Sequence, residues 1–136
     1  MRNRIVVFDT SVLVDQFRTN RHAERMRDLA GIVRSSSVVL SELLRGATTK
    51  QDRDLVAALA RNHPILVPME SNWLESGAIL SKMREDQGFP PGKLRDLHFD
   101  VLIALTARSH GATLITSNAT DFGMIRKYRD FRFEAW

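Results

Sequence analysis

Short apolar runs alternate with longer amphipathic stretches along this chain, and the alternation predicts its elements. Residues 4–8 (Arg-Ile-Val-Val-Phe) are β-branched and apolar, as a buried strand requires. Asp9-Thr10-Ser11 then supplies N-cap chemistry for a helix carrying Val12, Leu13, Val14 and Phe17. A second helix is predicted over 22–30, ending at Gly31, with a strand at Ile32–Arg34. Ser35, Ser36 and Ser37 offer a cap for a helix over 37–46, and another helix follows at 50–61. Ile65–Val67, between Pro64 and Pro68, reads as a short strand, and a long helix is expected from Ser71 to Gln87. Gly88-Phe89-Pro90-Pro91-Gly92 reads as a loop before a helix from Asp96 to His110, with Gly111 as its C-cap. Ala112–Thr116 and Arg132–Glu134 complete the strands.

Apolar strands separated by helices imply an α/β fold whose parallel sheet is covered on both faces. In such sheets ligands sit beyond the carboxyl ends of the strands. Asp9 directly follows the first strand, and Asn118 and Asp121 follow the strand ending at Thr116. All three fall where a site is expected.

Two further acids stand out on helical projections. At about 100° per residue, Val38, Val39, Leu40, Leu43, Leu44 and Ala47 form a broad apolar arc, and Glu42 projects at about 40°, inside it. Ser37, Ser41 and Arg45 take the solvent-facing sector. A glutamate inside the arc is either paired with a cation or lines a pocket. In the helix from Asp96, residues Val101, Leu102, Ile103, Ala104, Leu105 and Ala107 surround the axis, so burial is expected. Asp100 lies between Ala104 and Ala107, where an unpaired carboxylate is costly. Asp96 lies one turn earlier, as an N-cap, an extra carboxylate, or both.

Taken singly, each acid has an ordinary explanation. Asp9 caps a helix, Glu42 and Asp100 pair with arginines, and Asp121 starts a turn or short helix. Taken together, four acids at strand ends and on apolar faces call for a common cause. Magnesium and manganese prefer oxygen ligands, and a bound cation relieves the repulsion within a carboxylate cluster. It also activates water and stabilises charge on a phosphodiester.

Composition sharpens this picture. The 136 residues fit one domain over 1–136, and 43% hydrophobic content supports a core. The absence of cysteine excludes disulfides and thiolate metal sites. The Met1-Arg2-Asn3-Arg4 start leads into an apolar stretch too short for a signal peptide, and no run approaches the roughly 20 residues of a membrane span. A cytoplasmic protein with no membrane contact is expected. The net charge of +4 and pI of about 10.1 favour a polyanionic partner, and Arg126, Lys127, Arg129 and Arg132 gather near the C-terminus as phosphate contacts or a solvated basic face. An acidic pocket in a basic surface suits a nuclease. His22, His63, His98 and His110 show no metal spacing and read as surface or packing residues, with His98 opposite Asp100 on the projection. Trp73 and Trp136 read as packing or interface residues.

Four segments in order carry a resemblance: Val6-Val7-Phe8-Asp9-Thr10-Ser11-Val12-Leu13; Ser41-Glu42-Leu43-Leu44-Arg45-Gly46; Asp100-Val101-Leu102-Ile103-Ala104-Leu105-Thr106-Ala107; and Leu114-Ile115-Thr116-Ser117-Asn118-Ala119-Thr120-Asp121-Phe122. The chain resembles the PIN domain and, at this length, the VapC-type toxins of toxin–antitoxin pairs. The resemblance implies a three-layer α/β/α sandwich with a central parallel sheet and an endoribonuclease using Mg2+ or Mn2+. Asp9, Glu42 and Asp100 match its three principal acids and Asp121 the fourth, more variable one, with Asn118 and Thr10 or Ser11 as supporting residues. It further implies an RNA substrate, a homodimer, and a cognate antitoxin that inserts a peptide, often with a basic side chain, near the acids. Two other readings compete: a silent RNA- or protein-binding module on the same fold, and a haloacid-dehalogenase-like phosphatase. The latter needs an aspartate where Ser11 stands.

Overall fold

The computed structural model describes residues 4–136. Residues 1–3, read above as leading into the first strand, lie outside the described residues. The elements follow in the order β1 (Ile5–Phe8), α1 (Thr10–Thr19), α2 (Ala23–Asp28), β2 (Ile32–Ser36), α3 (Ser37–Gly46), α4 (Lys50–Asn62), β3 (Ile65–Leu66), α5 (Glu70–Gln87), α6 (Pro91–Ser109), β4 (Ala112–Thr116), α7 (Ala119–Arg126) and β5 (Phe133–Ala135).

The strands form one five-stranded parallel sheet in the order β3-β2-β1-β4-β5. Helices pack on it as a three-layer α/β/α sandwich, the architecture expected. Parallel strands need apolar side chains on both faces, and all five residues of β4 are buried. The chain winds outward from β1 to β3, then returns to place β4 beside β1 on the other side. That reversal marks the switch point where α/β sheets bind ligands. Phe8 is in register with Ile115, and the Asp9 amide donates to the Ile115 carbonyl at 2.8 Å. Asp9 is thereby fixed at the carboxyl ends of the two central strands.

The core runs from β1 and β4 into α6, whose residues Val101 to Ala107 are all buried, as their surrounding apolar pattern implies. Several expectations need correction. The 88–92 loop is shorter, because Pro91 opens α6 at a position where its missing N–H costs nothing. Asp96 is therefore inside the helix, exposed, and caps nothing. Helix α2 stops at Asp28, short of Ala30, because Leu29 turns to extended backbone. Strand β2 extends to Ser36, whose hydroxyl caps α3 by accepting from the Val39 amide. Val67 falls outside β3 and is 55% exposed. Leu44, placed on the apolar arc, is 53% exposed at its edge. Gly111 has a φ of 66°, the left-handed backbone that ends a helix. Helix α7 adds an element to the pattern: Asn118 caps it, and Asp121 lies in its first turn.

Candidate carboxylate site

Four carboxyl groups reach the carboxyl end of the sheet from different elements. Asp9 follows β1 as the N-cap position of α1, Glu42 projects from α3, Asp100 from α6, and Asp121 from α7. Their proximity is recorded at Asp100, whose carboxyl is pushed up to about 8. Burial is the main cause, followed by the negative charges of Asp9, Glu42 and Asp121, while Lys93 opposes them. Burial likewise raises Glu42, helped by the charge of Asp9 and opposed by a hydrogen bond from Thr10 and by Arg45.

Hydroxyl donors hold the acids in place. Ser11 Oγ and Thr116 Oγ1 each donate to Asp9 Oδ2 at 2.8 Å. Asp9 is 4% exposed, so these bonds replace lost water. Thr10 Oγ1 donates to Glu42 Oε1 at 2.8 Å. Asn118 Nδ2 donates to Asp121 Oδ2 at 3.0 Å, while its own Oδ1 accepts from the Asp121 amide. Thr10, Ser11 and Asn118 thus sit where supporting residues would be, each on its own carboxylate. Asp96 lines the outer cleft beside Glu42 and Asp100 and has no part in this hydrogen bonding.

Among the described residues, cations touch the site only at its rim. Lys93 Nζ lies 3.5 Å from Asp121 Oδ1, and an Arg45 guanidinium nitrogen 3.9 Å from Glu42 Oε2. Asp9 and Asp100 have no arginine partner among the described residues. The simple ion-pair explanation therefore applies in part to Glu42 and Asp121 and fails for the two central acids. No group of three acids or histidines among the described residues is drawn tightly enough to form a ready-made metal cage. The donor set nevertheless fits a hard divalent cation that retains several waters: every available atom is oxygen, and the four acids outnumber the two cations at the rim.

Sequence reasoning missed two members of this arrangement. Thr116 was legible only as the end of a strand, although its register opposite the Asp9 end of β1 puts its hydroxyl within reach. Lys93 falls between the expected 88–92 loop and the expected helix from Asp96; recognising Pro91 as a helix start places it on the first turn of α6, facing Asp121 of α7. His98 contacts Ser76 and Trp73 of α5, and also borders the cleft that Asp100 lines. His22 is buried and packs on Trp136, which also contacts Phe8. Arg126, at the head of the C-terminal basic cluster, lies over the Phe133 ring.

The model of the PIN domain family matches residues 6–127. Comparison with curated proteins returned no match. Among solved structures, the chain is similar to VapBC2 from Rickettsia felis bound to a promoter DNA fragment, with 23% identity, TM-score 0.75, and 97% and 98% of the two chains covered. It is similar to VapBC-1 from nontypeable Haemophilus influenzae, with 26% identity, TM-score 0.73 and the same coverage of 97% and 98%. DNA-bound VapBC from Salmonella typhimurium matches at 21% identity and TM-score 0.71 over 99% of both chains.

Proposed function

This chain belongs to the PIN domain family, and from that premise we propose that it is a divalent-cation-dependent endoribonuclease, the toxin of a VapBC-type toxin–antitoxin pair. The observation that carries the reading is the convergence of Asp9, Glu42, Asp100 and Asp121 at the switch point of the sheet, with no arginine among the described residues on the central two. Asp9 and Asp100 would be the principal ligands for Mg2+ or Mn2+, with Glu42 and Asp121 completing the site. Such a cation, when bound, supplies a Lewis acid and lowers the pKa of water. Ser11 and Thr116 orient the Asp9 carboxylate, Thr10 orients Glu42, and Asn118 orients Asp121. Glu42, held on the open side of the site, is placed to orient water for in-line attack on an RNA phosphodiester. Lys93 and Arg45 flank the acids and attract the phosphate.

An antitoxin is the proposed protein partner, since the similar structures are VapBC complexes. A groove of ≈ 250 Å³ between α1, α3 and α4, apolar at Val14, Phe17, Leu43 and Leu55, opens on Glu42 and suits a peptide carrying a basic side chain. Homodimerisation is proposed on the exposed patch of Val67, Met69, Trp73 and Leu74. A cytoplasmic location goes with the RNA substrate; no helix among the described residues is long and apolar enough to cross a membrane.

The test is incubation of purified protein with cellular RNA, with Mg2+, with Mn2+ or with EDTA, followed by sequencing of the new ends. Cation-dependent cleavage lost in Asp9→Asn and Asp100→Asn is expected. Cleavage that survives EDTA or either substitution would overturn the metal-centre reading, and RNA bound but left intact would favour a silent binding module.

A further inference from the structure

The carboxylate site continues into an open cleft of ≈ 450 Å³, within the roughly 300–1,000 Å³ typical of ligand clefts. Glu42 and Asp100 form part of its wall, and Arg45, Arg95, His98 and Phe99 line the rest together with Asp96. The Phe99 and His98 rings lie nearly parallel, 12° apart, with centroids separated by 6.4 Å. The Arg45 guanidinium stands over Phe99, 5.4 Å from the ring centroid. Its side chain is 69% exposed, so one face of that cation–aromatic pair is open to solvent. His98 is fixed from behind: the buried Ser76 places its hydroxyl 3.1 Å from Nε2, and the ring meets Trp73 edge to face at 6.3 Å.

Balancing the charge of Glu42 would require Arg45 alone. The additional planar groups and the second arginine provide what a single nucleotide needs. Unpaired bases stack on aromatic rings and on guanidinium planes, and arginine pairs with phosphate. A duplexed base has both faces already occupied, so the cleft selects single-stranded nucleic acid. The geometry points to a base-stacking subsite in which Phe99 and Arg45 hold an unpaired base of the RNA beside the bond to be cut, with Arg95 on its phosphate. This assignment rests on the ribonuclease reading above and names the part of the substrate held next to the acids.

The test uses the Asp9→Asn protein, expected to bind RNA without cutting it, and short single-stranded oligoribonucleotides carrying 2-aminopurine at successive positions. One position, adjacent to the bond cleaved by the unsubstituted enzyme, should show quenched fluorescence. Phe99→Leu, which keeps apolar volume but removes the ring, should abolish that quenching and weaken binding about tenfold, the scale of one base stack. Phe99→Trp should restore both. Arg45→Gln, at an exposed position that leaves the core intact, should also reduce quenching and affinity. Quenching and affinity unchanged in Phe99→Leu and Arg45→Gln, while the unsubstituted enzyme still cuts RNA, would overturn the subsite alone. Failure of the unsubstituted enzyme to cut any RNA with Mg2+ or Mn2+ would overturn the ribonuclease reading and the subsite with it. If the substitutions spare RNA binding but weaken association with a protein partner, the cleft belongs to that partner and the subsite is overturned.

Discussion

Thr116 and Asp9 stand 107 positions apart in the chain, yet the threonine hydroxyl donates to the aspartate carboxylate at 2.8 Å in a buried contact. The contact joins the carboxyl ends of β1 and β4. It also leaves the second oxygen of Asp9 directed elsewhere, because Ser11 donates to the same Oδ2 atom. Replacing Thr116 with valine keeps the shape and removes the donor. On the scale of residues that orient metal ligands, Thr116→Val should lower Mn2+ affinity or cleavage rate about 10- to 100-fold. Calorimetric titration and single-turnover cleavage measure the two effects, and a variant equal to the unsubstituted protein in both would show that the hydroxyl orients nothing needed.

The raised proton affinity of Asp100 links stability to pH. Between the ordinary carboxylate value of 3.8 and about 8, the folded protein keeps a proton that the unfolded chain releases. The metal-free protein should therefore lose stability as pH rises across that interval and level off above it. Asp100→Asn should flatten the slope and stabilise the metal-free protein at pH above 8 by on the order of a few kcal/mol. Urea denaturation in EDTA across the pH range checks this, and a slope unaffected by the substitution would contradict it.

The same group reports the balance of charge around it. Asp121 raises Asp100 and Lys93 lowers it. Asp121→Asn should move the Asp100 titration midpoint down, and Lys93→Gln should move it up. Carboxyl-carbon NMR in the absence of divalent ions reads both shifts, and movement of the two midpoints in the same direction would be incompatible with the arrangement described.

Packing makes its own prediction. Leu102 is fully buried within the α6 segment that fills the core. Leu102→Ala should cost about 2–5 kcal/mol. Ser36→Ala, which removes the α3 cap, should cost about 1 kcal/mol. Chemical denaturation should therefore rank the two variants in that order.

Much of this was legible along the chain because local patterns happened to coincide with tertiary demands. β1 and β4 are short and largely apolar, with Asp9 directly after the first and Asp121 five residues past the second, and α6 is apolar around its whole circumference at Val101–Ala107, which no surface helix tolerates. Glu42 was visible because a charged residue interrupted an otherwise apolar arc. The α6 start was misplaced because Pro90-Pro91 reads as loop until Pro91 is recognised as a first helical residue. Leu44 and Val67 are exposed because their surroundings end where the projection continues. Lys93 and Thr116 escaped notice because each acquires its meaning from a partner on a distant segment, Asp121 and Asp9 respectively, and no local spacing encodes those contacts.

The position of β4 between β1 and β5 bears on when this protein acquires its chemistry. No stretch of the chain holds the full set of acids by itself. A nascent polypeptide that has delivered Asp9, Glu42 and Asp100 still lacks Thr116 and Asp121, along with the strand that brings them alongside β1. The acids can meet only after β4 and α7 have been made, so the growing chain carries no complete carboxylate site until residues 112–126 have left the ribosome and folded against β1.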